Sequence, residues 1–169
     1  RPDAREGALI GTGGQGAAQL EAMLCVRKLG QVRVFGLHPE RARQFAAAMQ
    51  EKLAGYGAEI RAVATSEEAV QNADLVATVT PSSKPVFDGN QIKAGATVSC
   101  VGSYQPHMQE MDPVLLERAA RVYFDSEEAV LAESGDILIP LAEGRITRER
   151  FAGDLGQVLL GKLPARKDP

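Results

Sequence analysis

The stretch Ala8-Leu9-Ile10-Gly11-Thr12-Gly13-Gly14-Gln15-Gly16-Ala17-Ala18 leaves the chain few choices of fold. A short apolar run leads into a G-x-G-x-x-G turn, and an Ala- and Leu-rich helical pattern follows at once. Gly11 permits the tight turn from strand to helix, and Gly13 lets the backbone approach a pyrophosphate. Gly16 lets the new helix pack closely on the sheet. The N–H groups and positive dipole end of that helix then face the phosphates. Alone the motif is weak, since Gly makes up 17 of 169 residues and could punctuate any loop. Its setting strengthens it: a strand before, a helix after and a second strand over residues 31–35 make the unit that holds a dinucleotide.

The alternation continues along the chain. Strand one covers residues 7–10. A helix over 15–29 follows, with Ala18, Leu24 and Val26 among its apolar positions and Gly30 as its stop. Val32-Arg33-Val34-Phe35 is the second strand, closed by Gly36. Leu37-His38-Pro39 opens a helix with Pro39 in its first turn, ending near Gly55 or Gly57. Residues 58–63 make a third strand, and Thr65-x-x-Glu68 has the spacing of a capping box for a short helix over 66–72. Leu75-Val76-Ala77-Thr78-Val79-Thr80 reads as a strand buried on both faces, ending in the loop Pro81-Ser82-Ser83. Thr97-Val98-Ser99-Cys100-Val101 is the next, closed by Gly102. Asp112-Pro113 starts a helix to about residue 120, and residues 121–124 give a sixth strand. Asp125-Ser126-Glu127-Glu128 caps another helix, and a last one spans 147–160 before Gly161. Right-handed crossovers then predict a doubly wound α/β domain, a six-stranded parallel Rossmann sheet in the order 3-2-1-4-5-6.

Composition excludes other classes. The 169 residues suit one domain able to bury about two-thirds of its unfolded surface. A net charge of −3 gives no nucleic-acid footprint, and no apolar run reaches membrane-spanning length. Cys25 and Cys100 stand apart without a partner motif. They read as small buried apolar residues in a reducing compartment, which places the protein in the cytoplasm. With His38 and His107 as the two histidines, and His107 in a polar loop, no metal site is expected. Glu127/Glu128 and Glu133/Asp136 read as helix-terminus charge and a turn at Gly135. No nucleophile elbow occurs. The chain opens Arg1-Pro2-Asp3 without Met and stops in a charged tail, so both ends are expected to be cut from something longer.

In such a fold the ligand lies along the carboxyl ends of the strands, at the switch point between strands one and four. That gathers the Gly11–Gly16 turn, the corner from Gly36 to His38, the loop from Thr80 to Ser83 and the loop from Gly102 to Gln105. NAD binders usually place an acid after strand two to bond the ribose hydroxyls. Here Gly36 stands there, with no acid before Glu40. Two readings stay open: His38 and Arg41 meet a 2′-phosphate, which favours NADP(H), or Arg41 is a solvated helix residue and His38 merely precedes a proline.

Four segments in this order resemble the ornithine cyclodeaminase/mu-crystallin family. They are Ile10-Gly11-Thr12-Gly13-Gly14-Gln15, Thr78-Val79-Thr80-Pro81-Ser82, Val101-Gly102-Ser103-Tyr104-Gln105-Pro106, and Asp125-Ser126-Glu127-Glu128-Ala129 running on to Glu133-Ser134-Gly135-Asp136. The resemblance spans residues 8–161 and implies a cofactor site of Gly11, Gly13, Gly14, Gln15, Gly16, Gly36, His38, Arg41, Thr78, Val79, Thr80, Val101, Gly102 and Ser103. It implies NAD(P), with NADP favoured by the corner, and a small amino or imino acid as substrate. Residues 1–161 are then the NAD(P)-binding domain, and 162–169 begin the return to a second domain that mediates homodimer formation and supplies the basic substrate residues.

The implied chemistry is hydride transfer to or from C2 of an amino or cyclic imino acid. In the cyclodeaminase an Asp follows the strand-five V-G-x motif; here that place holds Tyr104, so the catalytic residues stay unassigned. This departure and Gly36 favour a ketimine or pyrroline-carboxylate reductase. Ornithine cyclodeaminase and alanine dehydrogenase are the alternatives, and a non-catalytic dinucleotide-binding protein is an alternative of another class.

Overall fold

A computed structural model describes residues 2–166. Five strands form one parallel sheet: β1 (Glu6–Ile10), β2 (Gln31–Phe35), β3 (Glu59–Ala62), β4 (Leu75–Thr78) and β5 (Thr97–Cys100), in the order β3-β2-β1-β4-β5. Ile10 of β1 lies opposite Phe35 of β2 on one side and Thr78 of β4 on the other. The carboxyl end of β1 therefore sits at the point where the strand order reverses, as the turn after it requires.

Helices α1 (Gly16–Val26) and α2 (Pro39–Lys52) cover one face, with Leu9, Leu20, Leu24, Val32, Val34 and Ala46 in a common core. The other face packs Ala8, Ile10 and Val76 against α3 (Ser66–Val70), Phe87 and Ile92. Local chemistry sets the helix starts. Pro39 occupies the first turn of α2, where its missing N–H costs nothing. At α3, Thr65 Oγ1 accepts from the Glu68 N–H at 3.1 Å, while Glu68 reaches back to the Ala64 N–H at 3.2 Å. Asp74, ahead of β4, accepts the N–H groups of Arg5 and Glu6 at 2.7 and 3.0 Å and pairs with Lys93 at 2.6 Å. Burial works against its ionisation, yet these partners hold the carboxyl at about 2.

Helix α1 stops at Val26 and not at residue 29, because Leu29 turns into the core and the Gly30 N–H bonds the Arg5 carbonyl at 2.8 Å. Leu20, Met23 and Leu24 form its buried face, and Ala18 and Val26 point outward. Cys25 corrects the expectation of two buried cysteines. One helical step past Leu24, it faces solvent with its sulfur 3.0 Å from the Tyr56 hydroxyl, whereas Cys100 is half-buried. Both thiols are free.

The chain departs most from the expected layout after β5. There follow α4 (Pro113–Arg118), β6 (Val122–Phe124), α5 (Glu127–Glu133), α6 (Gly135–Ala142), β7 (Phe151–Asp154) and α7 (Leu155–Leu159). The sixth strand does not extend the main sheet; β6 pairs in parallel with β7 in a separate two-stranded sheet. Phe124 meets Phe151 edge-on, ring centroids 5.0 Å apart, over a small core with Leu116, Ile137 and Ile146. That aromatic contact rewards pairing with β7. The helix expected over 147–160 is broken because Gly153 sits at φ +103°, outside helical space, so Phe151–Asp154 runs as a strand. Gly135 is the first residue of α6 and not a turn: a Cβ there would collide with the Met108 carbonyl, so glycine serves close approach.

Residues 162–166 lie back on the domain, where the Arg166 guanidinium donates to the Gly95 carbonyl at 2.9 Å and Thr97 Oγ1 at 3.2 Å. The end of the expected return segment, residues 167–169, lies outside the described residues. Among the described residues no helix is long and apolar enough to cross a membrane.

Candidate dinucleotide site

The turn after β1 is built from backbone. Gly11 adopts φ +109°, and a Cβ there would come within 2.8 Å of the Val79 carbonyl oxygen and 2.9 Å of the Val79 side chain. No other residue fits that conformation and that space together. Its N–H donates to the Phe35 carbonyl at 2.8 Å, tying the turn to the end of β2. At Gly16 a Cβ would press on the Gly11 carbonyl oxygen at 3.2 Å and the Phe45 ring at 3.3 Å, so the glycine sets how closely α1 approaches the sheet. Gly13, Gly14 and Gln15 lie exposed above, with open space around Gly14. Gln15 offers no side-chain cap to α1, and the first turn of α1 carries no acid. Thr65, Asp112 and Ser126, in contrast, each cap their own helix with a side-chain oxygen. The Gly16 N–H closes the turn onto the Gly13 carbonyl at 3.0 Å, but no side chain caps the α1 terminus, whose dipole faces an outside anion, and the residues fit a pyrophosphate.

At the corner after β2, a Cβ on Gly36 would meet Thr12 Cγ2 at 3.3 Å, so turn and corner touch. His38 and Arg41 are exposed there, and Glu40 is engaged by Arg43 at 2.7 Å. Val79 and Val101 continue the strand ends, their N–H groups bonding the carbonyls of Ile10 (2.9 Å) and Thr78 (3.0 Å). Twelve of the fourteen residues expected to hold the cofactor lie along one edge of the sheet or in its turns, while Gly16 opens α1 and Arg41 sits in the first turn of α2. Thr78 itself is fully buried, so its backbone and not its hydroxyl serves that edge.

Two acids whose roles the sequence does not disclose organise the far half of this edge. Glu110, with 0% of its surface exposed, accepts the Thr80 N–H with Oε1 and the Gly102 N–H with Oε2, at 2.5 and 2.6 Å. Asp136 is also buried, and its Oδ1 accepts the N–H groups of Glu110 and Met111 at 2.7 and 2.8 Å. Burial and, less strongly, the neighbouring Glu110 charge outweigh those bonds, lifting the Asp136 carboxyl to about 6. Burial also pushes the Cys100 thiol well above its ordinary value, with Asp136 and Glu110 adding to it. Ser103 Oγ donates to the Met108 carbonyl at 2.9 Å and accepts the Asp136 N–H at 3.2 Å, so its hydroxyl serves the loop. Tyr104 is 56% exposed at the mouth.

The profile of the Ornithine cyclodeaminase/mu-crystallin family matches residues 1–169. The chain belongs to that family. It is 34% identical over 167 residues to a Delta(1)-pyrroline-2-carboxylate reductase of Bacillus cereus, covering 99% of this chain and 50% of the relative. It is 32% identical over 157 residues to the ketimine reductase mu-crystallin of Rattus norvegicus, covering 93% and 45%. The structure of the Thermococcus litoralis Delta(1)-pyrroline-2-carboxylate reductase in complex with NADH and L-proline superposes with a TM-score of 0.92, at 32% identity over 99% of this chain and 51% of that one. The chain spans about half the length of the curated relatives it matches.

Within the family segments, Glu133 and Asp136 separate. Asp136 is the internal acceptor just described, whereas Glu133 is exposed at the end of α5. Glu127 and Glu128 lie in the first turn of α5, as expected of helix-terminus charge. Among the described residues no group of three His, Cys, Asp or Glu side chains gathers to hold a metal ion.

Proposed function

We propose that this chain is the cofactor-holding part of an NAD(P)-dependent oxidoreductase acting at C2 of an amino or cyclic imino acid, of ketimine or pyrroline-carboxylate reductase type. The Gly11–Gly16 turn carries this reading: its shape admits glycine alone at Gly11, and it leaves an uncapped, acid-free helix end for a pyrophosphate. Residues 1–161 are the dinucleotide domain, and the chain from residue 162 leads toward a second domain.

When bound, the nicotinamide supplies or accepts the hydride. Gly13, Gly14 and Gln15 hold the phosphates, and Gly36, His38 and Arg41 the adenosine ribose. Val79, Thr80 and the run from Val101 to Ser103 flank the ring. The corner supports a preference for NADP(H): no carboxylate repels a 2′-phosphate, and His38 and Arg41 are exposed to meet it. The whole protein acts as a homodimer in the reducing cytoplasm on a small amino or imino acid.

Reduction of a preformed imine suits this edge better than cyclisation of ornithine. Cyclisation must release ammonia and admit the δ-amine, work for a carboxylate that accepts protons near neutral pH. The equivalent place holds Tyr104, a phenol where that work calls for a carboxylate. Assays of the natural-length protein with Δ1-pyrroline-2-carboxylate and with ornithine test this. Turnover of the imine with slow or absent ornithine turnover is expected; fast ammonia release from ornithine overturns it. Dinucleotide binding without turnover of imine, ornithine or alanine would mark the non-catalytic alternative.

A further inference from the structure

Glu110 belongs to no expected part of the site, yet it is the fully buried acid nearest to two of its loops. A buried carboxylate is costly unless its oxygens are bonded, and an amide or apolar side chain would fill the same volume without a charge. This one spends both oxygens on main-chain donors from two different loops: Thr80, which follows β4, and Gly102, which follows β5. The contact is tight on all sides. A Cβ on Gly102 would come within 2.6 Å of the Thr80 nitrogen and 2.7 Å of the Glu110 carboxyl carbon. The clamp is itself held, because Asp136 fixes the Glu110 N–H, and the Glu110 carbonyl accepts from the Val86 N–H at 2.9 Å. Glu110 itself bonds no residue of the phosphate turn, which meets the clamped loop only where a Cβ on Gly11 would reach Val79 and the Thr80 side chain.

We infer that Glu110 is a positioning residue for the nicotinamide half of the cofactor, its carboxylate holding the loops after β4 and β5 at the spacing the ring requires, with none of its own bonds reaching the phosphate turn. This rests on the dinucleotide reading above. In an open parallel sheet the dinucleotide spans the switch point, so the half beyond the pyrophosphate falls beside β4 and β5. Both Glu110 oxygens act as acceptors here. A glutamine of the same shape turns an NH2 toward one of the two N–H groups and must release that loop.

The test compares NADH with ADP-ribose, which keeps the pyrophosphate and adenosine but lacks the ring. Both are titrated by calorimetry into the natural-length protein and its Glu110→Gln variant. We expect the NADH dissociation constant to rise at least tenfold, with that of ADP-ribose within twofold of its original value. Equal weakening of both ligands assigns Glu110 a general structural role and overturns the inference, as does unchanged NADH binding. Failure of the unmodified protein to bind either ligand instead sinks the dinucleotide reading itself. Should Glu110→Gln not fold, Gly102→Ala separates the same two loops with the carboxylate intact, and the same split between the ligands is expected; its absence overturns the inference.

Discussion

The two halves of the sheet edge are built by opposite means. The phosphate turn after β1 is made from neighbouring residues, shaped by glycines, and leaves its N–H groups free of any side-chain cap. The edge after β4 and β5 is made from residues far apart in the chain, and its N–H groups are taken up by the buried Glu110, which Asp136 in turn secures. In the first half, binding and folding are separable at Gly13, Gly14 and Gln15, which lie exposed with little packed around them. In the second they are coupled, because the groups that shape the loops also fill the interior.

The sharpest break in this comparison is expected at Gly135. A Cβ there meets the Met108 carbonyl with no room to move, so Gly135→Ala should cost about 3 kcal/mol or more of stability. Urea denaturation measures it, and an unchanged midpoint would show that α6 yields more easily than its packing implies. Gly13→Asp makes the opposite case. A carboxylate placed against the phosphates should weaken dinucleotide binding at least a hundredfold, about 3 kcal/mol, with no comparable change in thermal stability. A large fall in melting temperature there would erase the distinction between the halves.

Asp136 tests the coupled half by titration. Its carboxyl lies near 6 in the fold against an ordinary 3.8, so the folded state binds the proton more tightly than the unfolded chain does. Its contribution is therefore most favourable below about pH 4, falls as pH rises to about 6, and stays unfavourable above that, by a total on the order of 3 kcal/mol. Asp136→Asn keeps an oxygen for the Glu110 and Met111 N–H groups and removes the charge. Melting curves from pH 4 to 7 should lose this downward slope in the variant; parallel curves for the two proteins would mean that another group carries it. The smallest effect is expected at the corner. Arg41→Ala should weaken NADPH several-fold, about 1 kcal/mol, and leave NADH unchanged. If NADH already binds tighter and neither constant moves, the corner does not read the 2′-phosphate.

The same contrast explains what the sequence discloses. Strands one to five, their parallel order and the phosphate turn are legible because each is set by residues within a few positions: the apolar run before Gly11, Pro39 in the first turn of α2, Thr65 with Glu68. Glu110 is silent. Its bonding partners lie 30 and 8 residues away and are backbone groups, which leave no pattern of side-chain types. Asp136 sits beside exposed Glu133 and shares its appearance in sequence, although the two differ completely in burial. Gly135 reads as a turn and Gly153 passes unmarked inside an expected helix, yet one allows close packing at a helix start and the other a positive φ within a strand. Pro140 inside α6 further masks that helix.

Because Glu110 grips main chain, an exposed side chain on the loops it holds is left free to change. Tyr104 presents whatever group its codon specifies, and exchanging it does not disturb an N–H bonded elsewhere. Gly102 is fixed by its close contacts and Ser103 by the bonds of its hydroxyl. A scaffold of this kind can diversify its chemistry by single substitutions at an exposed position such as Tyr104, while the frame that aims those substitutions is inherited intact.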